Sequence, residues 1–97
     1  MVTLEEVKDW LRIDFDEDDM QLKMLIDVSS STIEIATGIK KDFLLKASDS
    51  LKDLYKIAQL IIITDLYNER DTENKALTSY YIQLKAMFNI EMGDSNE

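Results

Sequence analysis

The sequence predicts an all-α fold, a small bundle of about four helices. Three observations lead there. The chain has 97 residues, 45% of them hydrophobic, which suits one domain with a modest core. It contains no proline and only two glycines, Gly38 and Gly93, so little interrupts a helix. Its apolar residues recur at spacings of three and four, the period of an amphipathic helix. The reading is a single domain over residues 1–90 with a polar, flexible tail over 91–97.

The first helix is expected over residues 4–12. Thr3 is placed to cap it, and Glu6 stands three residues on, as a capping box requires. Leu4, Val7 and Leu11 share a face, with Trp10 beside them. Trp10 reads as a core aromatic, with a partner anchor as the alternative.

Asp14-Phe15-Asp16-Glu17-Asp18-Asp19 follows, five acids in six residues. A second helix is expected over 17–37, with Asp16 as its N-cap and Glu17, Asp18 and Asp19 in its first turn. The partial positive charge of a helix start favours anions there. Leu22, Leu25, Ile26, Ser29, Ile33 and Ala36 form its apolar stripe, widened by Met24, Val28 and Ile35. Gly38 supplies a left-handed stop. The acids also imitate the first half of a calcium loop. Such a loop needs glycine at its sixth position and glutamate at its twelfth, and here those are Asp19 and Leu25. No metal site is expected.

Residues 39–49 read as a connection. Phe43, Leu44 and Leu45 suit a short helical turn near 41–45 packed on the core, and Lys40, Lys41 and Lys46 suit solvated surface rather than an acidic partner. Asp49 or Ser50 is placed to cap a third helix over 50–70. Between Ile57 and Ile63 it is apolar around most of its circumference, so it is the central helix, a subunit contact, or both. Ile57, Leu60, Ile61 and Ile63 are therefore candidate interface residues. After a polar link, a fourth helix is expected over 75–89. Leu77, Tyr80, Tyr81, Leu84, Met87 and Phe88 line one side of it.

Whole classes of chemistry are disfavoured. With no histidine and no cysteine, the usual triads, zinc sites and disulfide frameworks cannot be built. The acidic N-terminal stretch does not read as a signal peptide, and the longest apolar run, Leu60–Ile63, is far too short for a bilayer. A net charge of −9 opposes binding to phosphate backbones or anionic membranes. There is no phosphate-cradling glycine loop and no basic patch interleaved with aromatics. No enzyme activity and no cofactor are expected.

The order of pieces resembles the small phage head–tail connector family, the adaptors that dock beneath the portal. The resemblance is carried by Leu4-Glu5-Glu6-Val7-Lys8, Leu11-Arg12-Ile13-Asp14, the acids Asp16–Asp19, then Leu22, Leu25-Ile26, Ile33-Glu34 and Thr37-Gly38. Tyr67-Asn68-Glu69-Arg70 looks like the family's tyrosine-to-arginine element. Ser29-Ser30-Ser31 stands where the family tends to have alanine-like residues.

This resemblance implies a non-enzymatic protein of the virion neck, assembled in the host cytoplasm as a ring, dodecameric on the portal. It implies contacts with the portal and with the next neck or tail-completion protein, and DNA passing through the lumen unbound. Tyr67 and Arg70 become candidates for the subunit or portal interface, beside the alternative of a local cap or ion pair. The rival reading is an acidic binding module that mimics DNA. A mimic spreads its carboxylates over one face, whereas these cluster at helix starts with lysines interspersed.

Overall fold

The computed structural model describes residues 1–69 and 75–93. Among the described residues there are five helices and no strand: α1 (Leu4–Leu11), α2 (Asp19–Thr37), α3 (Lys41–Leu44), α4 (Asp49–Tyr67) and α5 (Lys75–Gly93). The all-α bundle expected from the sequence is the fold.

Local chemistry explains most of the boundaries. Thr3 accepts from the Glu6 N–H while the Glu6 carboxylate accepts from the Thr3 N–H, so the capping box that opens α1 is complete. The helix closes on Arg12, which adopts the left-handed conformation at φ 61°, and the Ile13 N–H reaches back to the Lys8 carbonyl. Gly38, at φ 85°, ends α2 by donating to the Glu34 carbonyl, where a side chain would be strained. Ser48, one residue before the expected caps, accepts from the Leu51 N–H to open α4.

Several boundaries differ from expectation. Helix α2 starts at Asp19, not at residue 17, and its N-cap position is Asp18, which makes no side-chain capping bond. Asp16 is no cap, because its carboxylate is drawn to Lys8 instead. Helix α5 continues past residue 89 to Gly93, since no breaker precedes that glycine. Residues 91–93 thus belong to the fold, and the rest of the expected tail lies outside the described residues.

Helices α2, α4 and α5 pack pairwise against one another, and α1 lies across α2 and α4. The core has two parts that meet on α4. One gathers Ile33, Leu51, Tyr55, Ile62, Leu77 and Leu84 between the three long helices. The other gathers Val2, Val7, Ile13, Leu22, Ile26 and Ile63 beneath α1. Successive residues Ile62 and Ile63 serve different halves. The run that looked apolar all round is so because α4 is the central helix.

A buried polar hub ties the halves together. Gln59 is fully buried. Its Oε1 accepts from the Val2 N–H at 2.9 Å, and its Nε2 donates to Ser29 Oγ at 3.0 Å. The hydroxyls of Ser30 and Tyr55 meet at 2.8 Å nearby. Ser29 and Ser30, the departures from alanine-like residues, are thus the α2 partners of polar groups on α4.

Candidate assembly interface

The acidic stretch is pinned on the molecule, not displayed as a free patch. Lys8 Nζ lies 2.8 Å from Asp16 Oδ1 and 2.8 Å from Asp19 Oδ1. The Tyr67 hydroxyl donates to Asp18 Oδ2 at 2.6 Å. Three of the five acids therefore stitch α1, the start of α2 and the end of α4 to each other, and Asp14 and Glu17 stay exposed. The hydrogen bond to Asp16, then the ion pair with Asp19, raises Lys8 above its ordinary value, and the bond from Lys8 lowers Asp16. Donating to Asp18 raises the Tyr67 phenol. Among the described residues, no three acidic, histidine or cysteine side chains converge as a metal site.

Folded-state depression of Asp16, with that of Glu6 on Lys56 and of Glu91 on Ser48, fixes the sign of an acid effect. The unfolded chain binds these protons first as pH falls, so their contribution is present above about pH 4 and lost below it. Lys8→Met should therefore flatten the fall of melting temperature between neutral pH and about pH 3, by a few degrees at most because the pair is exposed. Superimposable acid profiles for the two proteins would contradict this role.

The α4 candidates separate by position. Ile63 is 0% exposed and spent in the core under α1; it offers a partner no surface. Leu60 and Ile61 are half-buried, and only Ile57, 39% exposed, opens to solvent. Tyr67 is half-buried on Asp18. Arg70 lies outside the described residues. Trp10 is not the core aromatic expected: it is 54% exposed and its Nε1 donates to Thr64 Oγ1 at 2.9 Å. It sits at the edge of the α1 stripe, away from Leu4 and Leu11, so only the indole edge is anchored. Leu45, expected on the core, is exposed as well, since a four-residue helix buries just one side, that of Leu44.

The larger free apolar surfaces are elsewhere. On α2, Met20, Met24, Val28 and Ile35 are all exposed, Met20 at 74% and Ile35 at 87%. At 3.6 residues per turn, these four and Ser31 fall in an arc of about 80° opposite the buried Leu22, Ile26 and Ile33. Met24, Val28 and Ile35 do not widen the core stripe; they form a second one. On α5, Ile82 and Ile90 are 66% and 69% exposed. With Ser79 and Ala86, both exposed, they occupy an arc of about 80° opposite Leu77 and Leu84. Neither arc contains a charged side chain apart from Lys75 at the start of α5.

Exposed apolar stripes of this kind, on a bundle with a filled core, are surfaces suited to contact with another molecule. A family model described as phage gp6-like head-tail connector protein matches residues 1–90. This chain belongs to that family. The match spans α1 through α4 and reaches Ile90 in α5, so it includes both stripes. Comparison with curated proteins and with solved structures found no significant match.

Membership gives the connector a structural role in the neck of a phage particle. The interface candidates read from the sequence lie on α4, the most apolar helix. On α2 the residues that read as widening one stripe lie on the opposite side of the helix and are exposed.

Proposed function

We propose that this connector assembles as a dodecameric ring beneath the portal once DNA is packaged. The ring extends the channel, helps retain the genome and presents a surface to the next neck or tail-completion protein. Assembly takes place in the host cytoplasm, and the protein performs no catalysis. The reading is supported above all by the family match over residues 1–90 on a chain whose apolar stripes are left uncovered by its own fold. The net charge of −9 suits a channel wall along which DNA slides without sticking. Ile57, with the half-buried Leu60 and Ile61 beside it, is proposed as a secondary contact, and Tyr67, at the far end of α4, as a further candidate. Arg70 is carried from the family resemblance as a candidate for the subunit or portal interface.

Incubation with the purified portal ring of the same phage, followed by sizing and electron microscopy, tests this. The expected result is a second annulus on one face of the portal. Failure to bind the portal, together with capture by DNA-binding enzymes, would replace the connector reading with the DNA-mimic one.

A further inference from the structure

We propose that the outward stripe of α2 in one copy seats on the outward stripe of α5 in the next, a head-to-tail contact between identical chains. Four observations converge on a second copy as the occupant. The first is that each chain carries two different stripes, Met20/Met24/Val28/Ile35 and Ser79/Ile82/Ala86/Ile90, both exposed. A two-fold contact uses one self-complementary patch twice, whereas a head-to-tail contact uses two patches, one of each per chain.

The second is direction. Because α2, α4 and α5 pack pairwise, the faces of α2 and α5 opposite the core diverge. One flat partner cannot cover both. A neighbour on each side can, and the free stripe left at either end propagates the contact, into a ring where the rotation between copies closes.

The third is shape. The α2 stripe is long and flexible-sided, with two methionines that adapt to an irregular surface. The α5 stripe alternates the bulky Ile82 and Ile90 with the small Ser79 and Ala86, which leaves recesses for such side chains.

The fourth is charge. Helix α5 alone carries more bases than acids, Lys75 and Lys85 against Glu91, in a chain with a net charge of −9. Its one acid is already used inside the molecule: Glu91 accepts from the Ser48 N–H at 3.0 Å and from its hydroxyl. Helix α2 has three acids against Lys23; Asp27 and Glu34 line one flank of its stripe, with Lys23 beyond them and Asp27 Oδ1 3.9 Å from Lys41 Nζ, so Glu34 is the acid left for a neighbour. Lys85 lines a flank of the α5 stripe. Pairing α2 with α2 would set two acid-rich flanks against each other; pairing α2 with α5 brings Lys85 to such a flank.

This contact deepens the ring reading and rests on it, yet its test is separate. The chain has no cysteine, so Met24→Cys and Ala86→Cys report alone. The two single variants, mixed and oxidised at a concentration where light scattering shows wild-type oligomers, should form a mixed cross-linked dimer. The double variant should form a ladder ending in a closed species. Met24→Glu should weaken self-association at least about tenfold, by forcing a charge into an apolar contact, with the melting temperature unchanged because residue 24 faces solvent in the monomer.

Cross-links of each single variant only with itself would overturn the proposal. So would oligomers without any cross-link, wild-type assembly by Met24→Glu, or a wild-type chain that stays monomeric at the highest attainable concentration. Portal binding by the wild type is scored independently. A chain that cross-links as expected but ignores the portal keeps this contact and loses the connector reading; one that binds the portal but fails to cross-link does the reverse.

Discussion

Gln59→Ala is expected to destabilise the monomer by about 3 kcal/mol and to lower its melting temperature by about 15 °C. The side chain is fully buried in the centre of α4. Its Oε1 is the acceptor for the Val2 N–H, and its Nε2 donates to Ser29 Oγ on α2. Truncation leaves the buried Val2 N–H without an acceptor, at about 1–3 kcal/mol, and opens a cavity of several atoms whose cost adds to that. The N-terminal strip, α2 and α4 all lose a shared contact at once.

Gln59→Glu sharpens the test. It keeps an acceptor for Val2 but places a carboxylate in a site without solvent, so its folded pKa must rise above the unfolded value of about 4.3. Stability of that variant should then fall as pH rises through this window, the opposite of the acid effect at Lys8. Thermal melts of both variants decide the matter. A Gln59→Ala protein melting within about 4 °C of wild type would show that water or rearrangement replaces the amide, and that the hub contributes little.

That hub also marks where sequence reasoning reached its limit. The helices were legible because their signals are local. Thr3 and Glu6 stand three residues apart, Gly38 follows a periodic run, and both behave as their spacing dictates. Gln59, Ser29, Ser30 and Tyr55 are different. Their partners are 25 and 30 residues away in the chain, and nothing in either helix alone says which polar side chain meets which. A glutamine inside an otherwise apolar stretch was the available hint, since a buried amide needs partners.

The acids of residues 14–19 show the same limit from another side. Clustering at a helix start suggested capping. The structure uses Asp16 and Asp19 on Lys8 and Asp18 on Tyr67, contacts that depend on how α1 and α4 are placed. The role of the apolar run on α4 was harder still. Hydrophobicity summed over α4 cannot separate a central helix from one facing a neighbour, because both are apolar all round. Exposure separates them, and exposure is a property of the packed molecule.

Ile63→Ala and Ile57→Ala should therefore behave oppositely, although they lie six residues apart on one helix in one apolar run. Ile63 is 0% exposed and packs with Val2, Val7, Ile13, Leu22 and Ile26. Removing its methyl and methylene groups deletes contacts under α1 and leaves a cavity, with a cost of about 2–5 kcal/mol. At about 4–8 °C per kcal/mol for a domain of this size, the melting temperature should drop by at least about 8 °C. Ile57 is 39% exposed on the side of α4 that neither half of the core covers. Its truncation removes surface that water already touches, so the monomer should lose less than about 1 kcal/mol. Urea melts of the two variants at a concentration low enough to keep both monomeric measure the difference directly. Equal destabilisation would mean that the α4 surface around Ile57 is covered in the free chain. A cost confined to Ile63 leaves Ile57 available to a partner, and a loss of portal binding by Ile57→Ala with its monomer intact would then assign that surface to the assembly.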